Sequence, residues 1–198
     1  MRNYDWFINP PIEEQQKAAY RLNIGCGNYP MPCWTNIDEM ESVRADLHVH
    51  VPPIPFPDES MQEIYAGHFL EHLDHEEQVA FLAECMRVLR PGGKLGIVVP
   101  DMREVFRRYI EGTIDHMEYP LGQYHPIADL DALCYIFIYG GIDKDMHHKW
   151  CFEEKTLART LYRAGFRDLK SIDRFQDYRL ANGAWYQCGI EGIKPESK

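Results

Sequence analysis

The sequence has 198 residues, with 31 acidic against 21 basic side chains and a formal net charge of −10. Apolar residues make up 45% and charged residues 26%, which is typical of a soluble globular protein with a full core in one domain. The acidic balance argues against a nucleic acid or an anionic membrane as the main partner. No apolar run reaches the roughly 18 residues of a membrane span, and no signal-peptide core or CxxC motif is present, so a cytoplasmic protein with reduced thiols is expected.

The first clear signal is a short apolar strand, 21–24, that runs into the turn Gly25-Cys26-Gly27. A strand that ends in such a turn is typical of the ligand-binding edge of an open α/β sheet. A single GxG is a weak motif, and its value depends on the motifs further along the chain. The next strand is predicted at 34–38 and ends at Asp38. The intervening segment contains Pro30 and Pro32 and is shorter than a normal parallel crossover, so we expect an irregular connection without a helix.

Further strands are predicted at 45–47, 63–66, 94–99, 169–172 and 185–190, and helices at 12–20, 102–111, 127–139 and 153–164. A helical stretch opens at His68, and Asp74 with Glu77 predicts a capping box for a helix that Pro91-Gly92-Gly93 should end. Its predicted apolar face consists of Val79, Leu82, Met86 and Leu89.

Strands that alternate with helices predict a mostly parallel α/β sheet in a single domain, 1–198. The loosely patterned stretch 112–146 is rich in aromatic residues and follows a sheet edge, which favours a lid or substrate wall. An extra packing layer or a dimer contact is the alternative for the helix within it.

The motifs occur in a fixed order: LNIGCG, NID, ADL, PIPFPDES, HFLEHL, RVLRPGGKL and VPD, then His148 and Ala164-Gly165-Phe166. Together they resemble the class I S-adenosylmethionine-dependent methyltransferases, in particular the small-molecule, type 11-like branch. The resemblance covers 21–101 and 147–166. It implies a Rossmann-like, mostly parallel seven-stranded sheet with helices on both faces and a short first crossover. It also implies S-adenosylmethionine as cofactor, S-adenosylhomocysteine as product, and a small-molecule or sugar-like acceptor.

The resemblance implies that Asp38 accepts hydrogen bonds from the ribose hydroxyls and that Asp46 accepts one from the adenine amino group. The other implied cofactor-binding residues lie in the glycine turn, beside the adenine ring and at the methionine end: Asn23, Gly25, Cys26, Gly27, Leu47, Gly67 and His68. His148 and Asp101 are the candidate catalytic residues. The chain departs from the family at Asn23, where an acidic residue is common, and at Tyr29, where a third glycine is common.

Several alternatives stay open on the sequence. An NAD-binding protein would need a third glycine and a helix after it, which are lacking. The stretch from His68 to His72 matches the H-x-x-E-H pattern of inverted zinc proteases, with His75 as a third imidazole. No distal ligand stands out, so no metal is expected. Asp101 would serve equally as a helix cap, and His148 equally as a structural residue. A non-catalytic S-adenosylmethionine-binding domain and a homodimer are further options.

Overall fold

The computed structural model describes residues 20–113, 117–118, 124–125, 147–172 and 185–196. Nine strands are described: β1 Arg21–Ile24, β2 Thr35–Asp38, β3 Leu47–His48, β4 Met61–Gly67, β5 Leu89–Pro100, β6 Met117–Glu118, β7 Tyr124–His125, β8 Arg167–Ile172 and β9 Gln187–Ile193. The described helices are α1 His75–Val88, α2 Met102–Ile110 and α3 Glu154–Arg163, with a 3₁₀ turn at Leu70–His72. The predicted helices at 12–20 and 127–139 lie outside the described residues, apart from Tyr20.

Seven of the strands form one sheet in the order β3-β2-β1-β4-β5-β9-β8. The four pairs from β3 to β5 are parallel, and β9 runs antiparallel to both β5 and β8. The predicted Rossmann-like α/β fold with a mostly parallel seven-stranded sheet is confirmed. Within the described residues, no helix has the length and apolar character needed to cross a bilayer.

The Pro91-Gly92-Gly93 stretch does not end α1, and that prediction is wrong. The helix ends at Val88, and Leu89 is already extended, with φ −70° and ψ 136°. Leu89 is fully buried and pairs with Met61 of β4, so a tertiary contact ends the helix before the proline. The register between β4 and β5 shifts after Met61, which accommodates the proline and glycines inside a long strand. The predicted strand at 45–47 is likewise displaced to β3.

The buried face of α1 is rotated from the predicted one. Its buried residues follow the helical period and are Gln78, Phe81, Leu82, Cys85 and Val88. Val79, expected on this face, is 58% exposed, while Met86 is only partly buried at its margin. The capping box itself is confirmed, because Glu77 N donates to Asp74 Oδ1 at 2.9 Å and Asp74 N donates to Glu77 Oε2 at 2.7 Å.

Two buried amides hold the connection between β1 and β2, which has no helix as predicted. Asn23 Nδ2 donates to Asn36 Oδ1 at 2.9 Å and to the carbonyl of Tyr29 at 3.3 Å. Asn36 Oδ1 also accepts from Met31 N at 2.7 Å, and its Nδ2 donates to the carbonyl of Trp34 at 3.0 Å. The two side chains are 0% and 6% exposed. A carboxylate at position 23 has no N–H to donate, which explains the departure from the acidic residue of the family.

The corrected face of α1 can be tested by comparing two substitutions on the same helix. Phe81→Ala should lower the free energy of unfolding by about 3–5 kcal/mol, because it removes a fully buried ring and leaves a cavity. Val79→Ala should change it by less than about 0.5 kcal/mol, because that side chain is exposed. Urea denaturation followed by circular dichroism measures both, and a larger effect for Val79→Ala would restore the predicted face.

The amide pair can be tested in the same way. Asn36→Ala leaves the buried Met31 N without its acceptor and removes the shorter of the two hydrogen bonds of Asn23 Nδ2, so the free energy of unfolding should fall by at least about 2 kcal/mol. Asn28→Ala is the matched control in the same connection, because Asn28 is exposed. Equal denaturation midpoints for the two variants would show that the amide pair is dispensable.

Candidate active site

The carboxyl ends of three parallel strands meet at one edge of the sheet. Ile24 of β1 pairs with Ile37 of β2 on one side and with Ala66 of β4 on the other. One residue further along each strand, the same registers bring Gly25, Asp38 and Gly67 together. Ligands of open α/β sheets bind outside this edge, so the predicted cofactor residues converge where such a ligand would lie.

The two glycines of the turn serve different purposes. Both have positive φ, +62° at Gly25 and +51° at Gly27. A Cβ at Gly25 would lie 2.5 Å from Cδ2 of Phe69, so this position is closed by a side chain of the protein. A Cβ at Gly27 would meet nothing within 4 Å, so the backbone there is open to a ligand. The intervening Cys26 is fully buried, and its N–H donates to the carbonyl of Ile37 at 3.0 Å.

Asp38 is held against this turn. Gly27 N donates to Asp38 Oδ2 at 2.7 Å, and Met40 N donates to Asp38 Oδ1 at 3.0 Å. The side chain is half-buried. Each carboxylate oxygen has two lone pairs, so both oxygens retain capacity for a further donor such as a hydroxyl. The arrangement therefore orients a carboxylate beside the open glycine.

Asp46 and Leu47 lie next to β2 and are both exposed. Asp46 Oδ2 accepts from Asn36 N at 2.7 Å and from Asn36 Nδ2 at 3.0 Å, so the buried amide network also fixes this carboxylate. Leu47 is 40% exposed and offers an apolar surface beside it. A planar, partly apolar ring with an amino group is a suitable ligand for such a pair.

His68 directly follows β4 and adopts φ +51°, which is uncommon for a residue with a Cβ. Its backbone N–H donates to the carbonyl of Val98 at 2.8 Å, and its Nε2 lies 3.1 Å from Gln187 Oε1. Its Nδ1 lies 3.2 Å from Glu71 Oε1, at ion-pair distance. Backbone strain of this kind concentrates at functional sites, because the surrounding structure must stabilise it.

Glu71 was not singled out as a site residue by the sequence, although it lies in the EHL motif. It is 1% exposed, and neither carboxylate oxygen has a hydrogen-bond partner of good geometry. Burial by itself would raise the pKa of Glu71, but the contact with His68 and the charges of His68, His72 and His148 lower it from 4.5 to about 2. A buried carboxylate in its charged form marks a candidate site.

His148 reaches this carboxylate from a distant part of the chain. The backbone N–H groups of Lys149 and Trp150 donate to the carbonyl of Glu71 at 2.8 and 3.1 Å. The rings of His148 and His72 are 4.8 Å apart, edge to face. The ligand atoms of Glu71, His72 and His148 all lie within 4.8 Å of one another. We call these three residues the Glu-His-His cluster.

The H-x-x-E-H pattern does not form the arrangement that its spacing suggests. Residues Leu70–His72 make a single 3₁₀ turn rather than a helix, so His68 and His72 are not placed on one helical face. His75, the third imidazole considered, stacks on Trp150 with ring centres 5.9 Å apart. The sequence pattern did not reveal that His148, distant along the chain, lies beside Glu71 and His72.

Asp101 follows β5 and caps α2, where its Oδ1 accepts from Glu104 N at 3.4 Å. Its backbone N–H donates to the carbonyl of Tyr186 at 2.7 Å, and the residue is 8% exposed. The capping interpretation is thus observed, and a catalytic role for Asp101 stays a prediction. Most of 112–146, the predicted lid, lies outside the described residues.

Comparisons with known proteins agree with this geometry. Residues 33–97 match a family model described as a methyltransferase domain. A methyltransferase of Thermotoga maritima, dependent on S-adenosylmethionine and a possible histamine N-methyltransferase, has 17% identity and a TM-score of 0.58, over 96% of this chain and 93% of that chain. A methyltransferase from Archaeoglobus fulgidus has 17% identity and a TM-score of 0.54, over 96% and 97%.

A third similar structure is a Haloferax volcanii methyltransferase in complex with the Trm112 activator, with 11% identity and a TM-score of 0.51, over 94% of this chain and 89% of that chain. No curated protein sequence is similar enough to count as a match. The methyltransferase-domain match covers residues 33–97, about a third of the chain, and the structural neighbours share its fold. Both findings agree with the resemblance to class I S-adenosylmethionine-dependent methyltransferases that the sequence motifs indicate.

Proposed function

We propose that this protein is an S-adenosylmethionine-dependent methyltransferase that acts on a small-molecule or sugar-like acceptor. We further propose that the cofactor lies along the carboxyl edge of β1, β2 and β4. The observation that supports this position is the open backbone at Gly27, bonded to the oriented carboxylate of Asp38. A ligand can approach the glycine closely there and meet two acceptor oxygens at the same time. At no other position in the described residues does an open glycine of positive φ lie beside a carboxylate at this edge of the sheet.

The residues on this edge suit the parts of S-adenosylmethionine. Asp38 would accept from the ribose hydroxyls, whereas Asp46 and Leu47 would hold the adenine amino group and ring. Gly67 and His68 would line the methionine end. Asn23, Gly25 and Cys26 would act indirectly by shaping the turn. Asn23 bonds to Asn36, Gly25 packs against Phe69, and the N–H of Cys26 donates to the carbonyl of Ile37 in β2.

The bound cofactor supplies a methyl group on a positively charged sulfur, which an acceptor oxygen or nitrogen attacks in line. The protein's contribution is therefore mainly positioning and exclusion of water. Because the Glu-His-His cluster adjoins His68, it lies beside the proposed methyl end. We assign His148 to the acceptor side of the site, where a hydroxyl or protonated amine must lose its proton.

Calorimetric titration tests the proposed cofactor site. The protein should bind S-adenosylmethionine and S-adenosylhomocysteine and should not bind NAD. Asp38→Asn removes a charged acceptor and should weaken both affinities at least about tenfold, since one charge-assisted hydrogen bond contributes about 1.5–3 kcal/mol. Glu41→Gln is the control: it removes the same charge from an exposed side chain nearby. Equal affinities for the two variants would place the ribose elsewhere.

A panel of acceptors tests the proposed substrate class. Release of S-adenosylhomocysteine should occur with a small amine, hydroxy acid or nucleotide sugar, and not with bulk protein or RNA. With the accepted compound, His148→Gln should lower kcat at least about 100-fold while the affinity for S-adenosylhomocysteine is unchanged. His50→Gln, at an exposed site, should retain wild-type turnover. Turnover with a macromolecule alone would contradict the proposal, and no turnover with any acceptor would favour a binding domain.

A further inference from the structure

We propose that Glu71, His72 and His148 bind a divalent transition-metal ion such as Zn²⁺. The site lies where the turn after β4 meets the segment before α3. The inference does not need the cofactor position proposed above. The ion would lie beside the proposed methyl end of the cofactor, and only this placement rests on the proposed function.

The donor set suits such an ion. Two imidazole nitrogens and one carboxylate oxygen are the ligands of many zinc and non-haem iron sites, and three protein ligands leave a position open for an exogenous ligand. The three donor atoms lie within 4.8 Å of one another. Two ligands of one tetrahedral zinc ion are about 3.3 Å apart, given bonds of about 2.0–2.1 Å. Side-chain rotations would have to close this difference when the ion binds.

An independent observation is the state of Glu71. Its side chain is 1% exposed, and its Oε1 lies 3.2 Å from His68 Nδ1, at ion-pair distance. Its Oε2 has no hydrogen-bond or ion-pair partner among the described residues. A buried carboxylate is costly unless donors or cations compensate it. His68 compensates one oxygen of Glu71, and the other oxygen is open to a cation.

The orientation of His72 favours metal binding further. Its Nδ1 lies 3.2 Å from the carbonyl oxygen of His147, which can only accept. The hydrogen-bonding pattern therefore assigns the proton to Nδ1 and leaves the lone pair of Nε2 available. Metal-binding histidines typically donate their second N–H to a carbonyl in this way, which fixes the tautomer and the ring.

The backbone holds the distant ligand in place. The backbone carbonyl of Glu71 accepts from the N–H groups of Lys149 and Trp150. These hydrogen bonds hold the neighbouring His148 close to Glu71. The stacking of Trp150 on His75 adds a second contact between the two segments. A site whose ligands are held before the ion arrives loses less conformational entropy on binding.

The experiment uses untagged full-length protein stripped with a chelator. Calorimetric titration with Zn²⁺ should give one ion per chain with a micromolar or lower dissociation constant. Co²⁺ should give visible d–d bands without a thiolate charge-transfer band. His72→Gln, His148→Gln and Glu71→Gln should each weaken Zn²⁺ binding at least about tenfold, since even supporting residues contribute that much. His50→Gln, which removes an exposed imidazole bonded to Glu39, should leave it unchanged.

Absence of stoichiometric Zn²⁺ binding to the wild-type protein would overturn the proposal. So would any folded variant of the three that retains wild-type affinity. Circular dichroism of each sample identifies the folded variants. The wild-type titration and one folded variant suffice to decide the test. If the protein binds S-adenosylhomocysteine but does not bind Zn²⁺, this inference alone is overturned. If it binds Zn²⁺ but does not bind S-adenosylhomocysteine, the proposed cofactor site alone is overturned.

Discussion

The sheet edge where we propose that the cofactor binds depends on one buried contact, the hydrogen bond between the amides of Asn23 and Asn36. In most parallel sheets a helix satisfies the backbone groups of the crossover. Here that helix is absent, and the connection needs side chains that both donate and accept. An amide does both, so Asn36 can accept from Met31 N while donating to the carbonyl of Trp34. Carboxylates at these two positions would only accept and would repel each other.

The same network orients the acidic residues of the edge. Asn36 donates to Asp46 through its backbone and its side chain, and the turn that the amides shape carries Gly27, which donates to Asp38. Both carboxylates are therefore fixed by protein donors before any ligand binds. A ligand hydroxyl or amino group meets lone pairs that need little reorganisation. The negative charge that remains also suits a cofactor with a positively charged sulfur.

Local chemistry made part of the fold predictable from sequence. The capping box at Asp74 was placed correctly because residues within one helical turn form it. The first strand was placed correctly because its short apolar run stops at the glycine turn. The end of α1 was not, because pairing of Leu89 with Met61 is a contact across the sheet that outweighs a local proline. Gly25 was predicted to contact the cofactor, which stays a prediction. Phe69 occupies the space where a Cβ of Gly25 would lie, whereas the same space at Gly27 is open. Spacing identifies a turn and does not reveal which of its glycines is covered.

The histidines show more strongly that spacing alone does not determine which side chains meet. They also connect the Glu-His-His cluster with the sheet edge at the end of β4. Spacing grouped His68 with His72 on one helical face, whereas Leu70–His72 form only a 3₁₀ turn, and the fold brings in His148 across a long stretch of sequence. Glu71 lies between the two groups, with one oxygen 3.2 Å from His68 Nδ1 and its carboxylate facing His72 and His148. A cation bound at the cluster would withdraw charge from this carboxylate and weaken its attraction for His68. Because His68 directly follows β4, such a change would reach the edge where we propose that the cofactor binds.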